Sequence, residues 1–329
     1  MTATLVVGGQ FGDEGKGKMI SYLAMHDKPE IVARGGVGTN AGHQVKHKGK
    51  VYSLRMVPSG FVYEKARLLI GAGVLVDPSV FLKEVKELGI EKRIGVDKRC
   101  TAILQKHKDE DRGGTAEKIG TTGSGCGPAQ MERVARKALL ASEIPELKPY
   151  ICDVPSEVNK CDNLLIEGTQ GFMLSVLYGT YPFVTSKDTS ASTIAADVGI
   201  GPKRITDVIM IAKAYTTRVG NGPFTGEMSI ERAKELGFQE YGTVTGRPRR
   251  TSESLHWDDL RFAATVNSAT GIGVTKLDVR FPDAVGVRNY DELPKNAKDF
   301  IEEIESKLDV PVLLIGTGAD VFDTIDRRK

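Results

Sequence analysis

Cysteine is scarce in this chain. The four cysteines are Cys100, Cys126, Cys152 and Cys161. They form no Cys-x-x-Cys pair, which is the spacing that many zinc sites use, so we do not expect a zinc site. Cysteines scattered in this way are typical of proteins from a reducing compartment, so we expect free thiols and a cytoplasmic location.

Long apolar runs are also missing. No segment approaches the roughly 18 consecutive apolar residues that a membrane-spanning helix needs. The chain begins Met-Thr-Ala-Thr-Leu-Val-Val-Gly-Gly, without a basic head followed by a long apolar stretch. We therefore expect neither a signal peptide nor a membrane partner.

A large excess of charge of either sign is absent as well. The formal net charge is +2, from 45 basic and 43 acidic residues. Binding to nucleic acid or to an anionic membrane surface usually leaves a basic footprint in the composition. The overall balance gives no reason to expect a nucleic-acid partner.

Glycine, in contrast, is abundant. The chain of 329 residues contains 37 glycines, with 40% hydrophobic and 27% charged residues. The last two values are those of a globular protein that can build a core. Many glycines allow many tight turns and close backbone approaches, as in nucleotide-binding loops.

Short apolar runs alternate with amphipathic segments along the chain. The runs are continuous rather than alternating, as in strands covered on both faces. The predicted strands are Leu5–Val7, Ile31–Ala33, Leu68–Ile70, Leu164–Glu167, Val208–Ala212, Gly273–Thr275 and Val312–Ile315. The predicted helices are Gly17–Met25, Pro78–Leu88, Pro128–Leu140, Ile230–Leu236, Asp258–Asn267 and Pro294–Leu308.

This alternation predicts an α/β fold with a doubly wound, mainly parallel central sheet and helices on both faces. The chain has no repeat, low-complexity tract or evident linker, so we expect one elaborated nucleotide-binding catalytic domain over residues 1–329. Such sheets bind ligands beyond the carboxyl ends of their strands. The residues that follow each predicted strand are therefore the candidates for function.

The first predicted strand runs into a glycine-rich turn, Gly-Gly-Gln-Phe-Gly-Asp-Glu-Gly-Lys-Gly-Lys at residues 8–18, and then into a helix. Backbone N–H groups and a lysine in this arrangement form a phosphate cradle. The turn resembles a P-loop but departs from it. Five residues separate Gly9 from Gly15, and Lys16 is followed by Gly17 rather than by the Ser or Thr that binds magnesium.

Asp13 and Glu14 are unusual in such a turn. A carboxylate beside a triphosphate is unfavourable unless Mg²⁺, Lys16 or a proton-bearing substrate lies between them. Asp13 is therefore a candidate metal ligand, general base or both. The plain alternative is an acidic surface turn that caps a helix, which does not account for the glycines and lysines around it.

The segment Gly12–Lys18 resembles the signature of the adenylosuccinate synthetase family, and later motifs match that family in the same order. The resemblance implies a P-loop-NTPase-like fold. It implies that GTP, with Mg²⁺, phosphorylates the 6-oxygen of IMP and that L-aspartate then displaces phosphate. It also implies a homodimer that functions in AMP synthesis and purine salvage. The residues expected to bind GTP in this turn are Gly12, Asp13, Glu14, Gly15, Lys16, Gly17 and Lys18.

Thr39-Asn40-Ala41-Gly42-His43 follows the second predicted strand. A histidine there can donate to a developing oxyanion. The resemblance makes His43 the catalytic acid, Asp13 the base for N1 of IMP, and the Gly42 carbonyl a second Mg²⁺ ligand. It places Asn40 and Ala41 at the substrate and Gln44 at GTP. A surface histidine is the alternative, and His47, among lysines, is expected to be solvated.

Gly120–Pro128 is a second glycine-rich turn before a helix. Its hydroxyl and N–H groups suit a monophosphate, with a plain flexible loop as the alternative. The resemblance assigns Thr121 and Thr122 to the IMP phosphate. It assigns Arg136, on the following helix, to the phosphate bound by the neighbouring subunit.

Three further substrate residues come from other segments. Gln170, in Glu167-Gly168-Thr169-Gln170-Gly171, can read the base and stabilise the charged 6-oxygen. The resemblance implies that Gln170 is catalytic and that Thr185 is a phosphate ligand. It also implies that the backbone of Val219 contacts the ribose.

Thr243–Arg250 is a basic loop that contains glycine. Arginine is the best bidentate partner for the carboxylates of a dicarboxylic amino acid. The resemblance assigns the loop to aspartate and places Arg249 at the nucleotide as well. The alternative is a patch that binds nucleic acid or faces solvent. The loop lacks the interleaved aromatic residues that would favour nucleic acid. The residues expected to bind substrate are Thr243, Val244, Thr245, Gly246, Arg247 and Arg249.

Thr275-Lys276-Leu277-Asp278 resembles the guanine-reading motif of GTP-binding proteins. One carboxylate can accept from N1–H and the 2-amino group of guanine, and the lysine stem can cover the base. We expect Lys276, Leu277 and Asp278 to select GTP. The resemblance adds Gly316, Thr317 and Gly318, which close over the guanine.

Two other functions remain open at this point. A non-enzymatic GTP-binding switch would use the glycine turn and the Lys-x-Asp motif but not Gln170, Arg247 and Arg249. A related ligase could join another acceptor acid. The chain is also shorter than most family members, with no named motif lost, so we expect trimmed peripheral segments around a complete site.

Overall fold

The computed structural model describes residues 2–113, 119–242 and 246–328. The strands are β1 (Thr2–Gly8), β2 (Ile31–Arg34), β3 (His43–His47), β4 (Lys50–Leu54), β5 (Arg67–Ile70), β6 (Leu75–Val76), β7 (Ile94–Asp97), β8 (Thr101–Ala102), β9 (Ile151–Cys152), β10 (Asn163–Glu167), β11 (Asp207–Lys213), β12 (Thr216–Arg218), β13 (Arg250–Ser252), β14 (Gly271–Thr275), β15 (Val312–Gly316) and β16 (Thr324–Asp326). The α-helices are α1 (Lys16–Asp27), α2 (Pro78–Leu88), α3 (Gln105–Asp111), α4 (Cys126–Val134), α5 (Val154–Val158), α6 (Ala191–Val198), α7 (Ile230–Glu235), α8 (Trp257–Asn267), α9 (Leu277–Arg280) and α10 (Lys295–Leu308). Short 3-10 helices lie at Ser59–Val62, Ala141–Glu143, Pro145–Tyr150, Phe172–Leu174, Pro202–Arg204, Pro282–Ala284 and Tyr290–Glu292.

The central sheet has the strand order β16-β15-β14-β11-β1-β10-β2-β5-β7-β9 within the described residues. Its neighbours run parallel except for the edge pair β15 and β16, which is antiparallel. The predicted doubly wound, mainly parallel sheet is confirmed, and each predicted strand lies in it. Three strands of this sheet, β7, β9 and β16, were not predicted.

The sheet is covered on both faces, as the continuous apolar runs predicted. Side chains of successive strand residues point to opposite faces. In β1, Leu5 and Val7 belong to one hydrophobic core, which α6, α8 and α10 cover, and Val6 belongs to another, which α1 and α2 cover. Both cores are built around the same sheet, so the sheet gives a rigid base for the loops at its edge.

Most predicted helices are confirmed to within a few residues, but the predicted helix Pro128–Leu140 is wrong at its end. Helix α4 ends at Val134 because Arg136 adopts a left-handed conformation with φ 62°. The N–H of Lys137 then bonds to the Glu132 carbonyl at 2.9 Å, a bond that closes the last helical turn. Arg136 therefore lies just beyond the helix and not on it.

The turns that follow β1, β2, β10, β14 and β15 meet at the carboxyl edge of the sheet, as expected for parallel strands. They line one cavity there. Within the described part of the chain, no helix has both the length and the apolar character to cross a bilayer. All four cysteines are free.

Candidate functional site

The turn after β1 is held in shape by its own acidic residue. Glu14 is fully buried, and its Oε1 atom accepts from the N–H groups of Gln10 at 3.1 Å and Gly12 at 2.9 Å. Its Oε2 atom pairs with Nζ of Lys16 at 2.6 Å. The Glu14 side chain therefore braces the turn from inside and does not face the cavity.

Three residues of this turn have left-handed backbone angles: Gly12 with φ 86°, Asp13 with φ 58° and Gly15 with φ 86°. Asp13 is not a glycine, and a residue held there by its surroundings is a common feature of functional sites. Its side chain is 28% exposed and lines the cavity. The Oδ2 atom of Asp13 pairs with Nη2 of Arg249 at 2.5 Å.

Lys18 connects α1 to the loop after β15. Its Nζ donates to the carbonyl oxygens of Gly318 and Asp323, both at 2.6 Å. Burial lowers the pKa of Lys18 to about 8, against the opposing charges of Asp278 and Asp323. The predicted GTP residue Lys18 thus holds the segment at Gly318 in place.

His43 begins β3 and is directed by a buried carboxylate. Its Nδ1 atom contacts Oε1 of Glu167 and lies 3.2 Å from Oγ of Ser59. Glu167 is fully buried and also accepts from the N–H of Ser59 at 2.6 Å and from its hydroxyl at 2.7 Å. Burial alone would raise the pKa of Glu167, but His43, Arg34 and Ser59 hold it below its ordinary value. Glu167 therefore stays ionised and accepts a hydrogen bond from the Nδ1–H group of His43. This bond leaves Nε2 of His43 to face a substrate.

His47, at the other end of β3, is buried and lies beside Phe322, with ring centroids 5.9 Å apart. The expectation that it is solvated is wrong. The loop near residue 320, which is remote from His47 in sequence, covers it. A β-bridge between Lys46 and Asp320 joins this loop to β3. Burial also lowers its pKa.

The second glycine-rich turn contributes hydroxyl groups to the cavity. Oγ1 of Thr122 lies 2.7 Å from Oγ of Ser124, and Oγ1 of Thr121 donates to the Asp111 carbonyl at 3.3 Å. Arg247 donates to the carbonyl of Thr121 at 2.8 Å. The predicted aspartate residue Arg247 therefore crosses to the phosphate turn in this structure.

Gln170, Thr185 and Val219 line the same cavity. Gln170 has a left-handed φ of 65°, and the turn around it is tight, because a Cβ added at Gly171 would approach the Gln10 carbonyl to 2.3 Å. Thr185 accepts a hydrogen bond from the Asn40 side chain at 3.0 Å. This bond joins two of the predicted substrate segments.

The predicted guanine segment follows β14. Lys276 has φ 61° and is 46% exposed, and Thr275 donates to the Glu14 carbonyl at 2.6 Å, which joins this segment to the first turn. Burial raises the pKa of Asp278. Leu277 is fully buried in the core, so only its backbone can reach a ligand.

The cavity has a volume of about 1260 Å³ and collects most of the predicted residues. Those that line it are Gly12, Asp13, Gly15, Lys16, Gly17, Lys18, Asn40, Ala41, Gly42, His43, Gln44, Thr121, Thr122, Gln170, Thr185, Val219, Arg249, Lys276, Asp278 and Gly318. Those among the described residues that do not line it are Glu14, Arg136, Gly246, Arg247, Leu277, Gly316 and Thr317. Thr243, Val244 and Thr245 lie outside the described residues.

Several polar residues of the site were not identified from the sequence. Glu167 orients His43, and Glu240 lines the cavity beside Arg249 and Lys276. Lys213, at the end of an apolar strand, is fully buried against Glu240. The sequence held one signal for the group formed by Lys213 and Glu240, namely a lysine at the carboxyl end of a buried strand. The contacts themselves join residues that are far apart in sequence.

The family model and the curated relatives point to one family. The family model for adenylosuccinate synthetase matches residues 5–146 and 139–282. The adenylosuccinate synthetase of Pyrococcus sp. (strain ST700) is 56% identical over 340 residues, which covers 100% of this chain and 99% of that protein. A fully ligated adenylosuccinate synthetase from Plasmodium falciparum superposes with a TM-score of 0.91 at 26% identity, over 100% of both chains. The succinoaminodeoxyadenylate synthetase of cyanophage S-2L, bound to dGMP and dATP, gives a TM-score of 0.83 at 26% identity over 100% of this chain and 96% of that one.

Proposed function

The chain belongs to the adenylosuccinate synthetase family, and we propose that the residues of its cavity carry out that family's reaction in the roles given below. The enzyme is a GTP-dependent ligase that converts IMP and L-aspartate into adenylosuccinate, with GDP and phosphate as the other products. The observation that best supports the roles is a convergence. Asp13, His43, Gln170 and Asp278 follow four different strands and line one cavity.

In the first step, the γ-phosphorus of GTP forms a bond to the 6-oxygen of IMP as its bond to the β,γ-bridging oxygen breaks. Asp13 takes the proton from N1 of IMP, which makes the 6-oxygen a nucleophile. The ammonium of Lys16 and the imidazole of His43 stabilise the negative charge on the transferred group. Glu167 supports His43 in this role, since it holds Nδ1 and leaves Nε2 free.

In the second step, the amino group of aspartate attacks C6, and the C6–O6 bond breaks to release phosphate. The amine gives up its proton to the departing phosphate as the new C–N bond forms. We assign the side-chain amide of Gln170 to the 6-oxygen, where a preformed donor stabilises the charge that leaves with phosphate. Arg249 is the arginine of the described residues that lines the cavity close to Asp13 and can hold a substrate carboxylate.

Mg²⁺ fits the donor groups present. The carboxylate of Asp13 and the carbonyl of Gly42 line the same cavity, and hard oxygen donors together with substrate phosphates suit this ion. Within the described residues there is no cluster of three or more His, Cys, Asp or Glu side chains that would form a complete metal cage. When bound, Mg²⁺ supplies charge neutralisation at the phosphates. Oδ2 of Asp13 pairs with Arg249, so this oxygen becomes available to the ion only when Arg249 releases it.

The guanine and phosphate ends of the cavity have separate residues. We assign Asp278 to N1–H and the 2-amino group of guanine, with the Lys276 stem over the base and Gly318 beside it. Thr121 and Thr122 are assigned to the IMP phosphate. Arg136 does not line the cavity of its own chain. We assign Arg136 of the partner subunit to this phosphate across the interface of a homodimer. We also propose a cytoplasmic location, which recovery of the protein with the cell envelope on fractionation would contradict.

The test is direct assay of the purified protein with IMP, GTP, aspartate and Mg²⁺. Adenylosuccinate, GDP and phosphate are expected in equal amounts. Replacing aspartate by glutamate tests the ligase with another acceptor acid, and replacing IMP and GTP by dGMP and dATP tests the pair bound by the cyanophage protein. GTP binding without any product from a folded dimer would contradict the proposal and favour the switch.

A further inference from the structure

We propose that Glu240 is a positioning residue that couples the guanine side of the cavity to the Asp13 side. It does so by holding Lys276 with one carboxylate oxygen and Arg249 with the other. The inference rests on the proposed roles of Asp13, Arg249 and Lys276, and it adds a residue that none of those roles includes.

Glu240 is itself held firmly. Its Oε2 atom pairs with Nζ of Lys213 at 2.8 Å, and its Oε1 atom accepts from the Tyr215 hydroxyl at 2.6 Å. Tyr215 stacks on Phe238, with centroids 4.3 Å apart and rings within 3° of parallel. Lys213 and Tyr215 are both buried. A carboxylate fixed from two directions can set the positions of other, more mobile side chains.

On the guanine side, Nζ of Lys276 lies 3.5 Å from Oε1 of Glu240. Lys276 is half exposed at the mouth of the cavity, so without a partner its long stem would sample many rotamers. Glu240 is the carboxylate that restrains this ammonium. The restraint keeps the Lys276 stem beside Asp278, where the base is expected.

On the other side, Nε of Arg249 lies 3.7 Å from Oε2 of Glu240, while Nη2 of Arg249 pairs with Asp13. Nε is buried and has no hydrogen-bond partner among the described residues. The backbone also connects the pair, because the N–H of Arg249 donates to the Glu240 carbonyl at 2.8 Å. When a substrate draws the guanidinium away from Asp13, a small movement lets Nε bond to Glu240.

The charges around Glu240 explain why a carboxylate is needed in a cavity that binds anions. Lys213, Arg249 and Lys276 surround this one carboxylate and would repel one another without it. Burial alone would raise the pKa of Glu240, but the charges of Lys213, Lys276 and Arg249 hold it well below its ordinary value. Glu240 therefore stays ionised and keeps the three cations together.

The experiment compares the wild-type enzyme with Glu240→Gln, Lys276→Met and the double variant. kcat, the KM for aspartate and the KM for GTP are each measured with the other substrates saturating, and the melting temperature is recorded for each variant. Glu240→Gln should raise the KM for aspartate and the KM for GTP about tenfold or more with a smaller change in kcat, because Glu240 holds both Arg249 and Lys276. Lys276→Met should raise the KM for GTP alone, because Lys213 and Tyr215 still hold Glu240 beside Arg249. In the Glu240→Gln background, Lys276→Met should raise the KM for GTP less than it does alone, because Lys276 is already released.

Glu235→Gln is the matched control, since Glu235 is an exposed glutamate on α7 whose partner is Arg232. A folded Glu240→Gln enzyme with a KM for aspartate within about twofold of the wild type would overturn the inference. So would an equal effect of Lys276→Met on the KM for GTP in both backgrounds. If Glu240→Gln does not fold, Glu240→Asp replaces it, since it keeps the charge beside Lys213 but shortens the reach to Arg249 and Lys276; unchanged KM values for aspartate and GTP then overturn the coupling. An inactive wild-type enzyme would instead contradict the proposed function.

Discussion

At the scale of single residues, the carboxylates of the site are divided between two roles. Glu14 and Glu167 are fully buried, and Glu240 lines the cavity but is only 16% exposed. All three hold other groups, whereas Asp13 is 28% exposed in the cavity. A buried carboxylate needs several donors to offset its desolvation, and each of the three glutamates has them. Asp13 has one strong partner, Arg249, and is the carboxylate that can exchange that partner for a substrate.

Asp13→Asn should abolish phosphorylation of IMP while the fold is kept. Asparagine has the same shape and tolerates the left-handed φ of 58°, but it cannot accept the N1 proton. We expect a loss in kcat of about 10²–10⁴-fold, the range for removal of a general base. Asp309→Asn is the control, because Asp309 also has a left-handed φ, of 54°, at the end of α10 and away from the cavity. Activity above about a tenth of the wild-type value would mean that another group is the base.

Glu167→Gln should reduce activity by weakening the support of His43. The glutamine amide carries no negative charge beside Nδ1. Its neutral oxygen is a weaker acceptor than a carboxylate, and its NH2 group is a donor. We expect kcat to fall about tenfold or more, since Nδ1 of His43 loses the ionised acceptor that orients the ring. The measurement is kcat together with the melting temperature.

Glu84→Gln is the control for this variant. Glu84 is equally a buried glutamate, and it accepts from the backbone N–H groups of Arg55, Met56 and Val57 at 2.6, 3.0 and 2.8 Å. It should lose stability without a comparable fall in kcat. A kcat of folded Glu167→Gln that falls no further than that of Glu84→Gln would show that Glu167 acts only through stability.

At the scale of elements, the approach of α1 to β3 sets the position of the catalytic groups. Gly17, in the first turn of α1, allows this approach. A Cβ added there would lie 3.1 Å from Cβ of His43 and 3.0 Å from Oγ of Ser59. These are the two residues that share the Glu167 carboxylate. A wider separation would therefore move both of them.

Gly17→Ala should displace His43 and lower kcat about tenfold with little loss of helix stability, since alanine favours a helix. Gly201→Ala is the control, because nothing lies within 4 Å of a Cβ at that position. The measurement is kcat together with the melting temperature of each variant. An unchanged kcat in a folded Gly17→Ala enzyme would show that His43 tolerates the shift.

The elements could be predicted from the sequence wherever the local pattern was strong. The predicted strands were continuous apolar runs, and α2 showed its start at Asp77-Pro78 and its end at Gly89. Strand β9 has two residues and β16 contains Thr324 and Asp326, so neither gave such a run. Helix α4 ends where Arg136 adopts a left-handed backbone conformation, which no pattern of apolar residues predicts.

The motifs that follow the strands could be predicted too, because the topology brings them to one edge. The contacts between them could not. Glu240 meets Lys213 across 27 residues of sequence, and His43 meets Glu167 across 124. His47 was expected to be solvated because its neighbours in sequence are lysines, whereas a loop near residue 320 covers it. Pairings of this kind depend on the complete fold.

At the scale of the whole molecule, the central sheet draws strands from both ends of the chain. Strand β1 lies between β10 and β11, and β15 and β16 complete one edge. We propose that the chain is a single domain, which predicts one cooperative unfolding transition. The measurement is calorimetry at low protein concentration, with the calorimetric enthalpy equal to the van't Hoff enthalpy. Two separable transitions that do not depend on protein concentration would contradict a single domain.

Acid should destabilise the molecule through its buried carboxylates. The pKa values of Glu167, Asp188 and Glu240 are all held below the ordinary values by hydrogen bonds and nearby cations, although burial opposes this. The pKa of Asp197 shifts in the opposite direction, since burial raises it. For the three lowered groups, the unfolded chain binds protons at a higher pH than the folded protein does. Their stabilisation is therefore complete above the unfolded values of 4.5 for glutamate and 3.8 for aspartate, and it is lost as the pH falls further.

Glu240 should account for a measurable part of this loss. The free energy of unfolding, measured in urea between pH 7 and pH 3, is expected to fall with pH in the wild type. Glu240→Gln should be less stable at pH 7, because Lys213 is left buried without its carboxylate. It should also lose less stability on acidification, because one of the groups that take up protons has been removed. The two curves should therefore converge as the pH falls below about 4.5, the ordinary pKa of a glutamate. Parallel curves over this range would show that the pKa of Glu240 is not lowered in the folded protein, which would contradict its pairing with Lys213, Arg249 and Lys276.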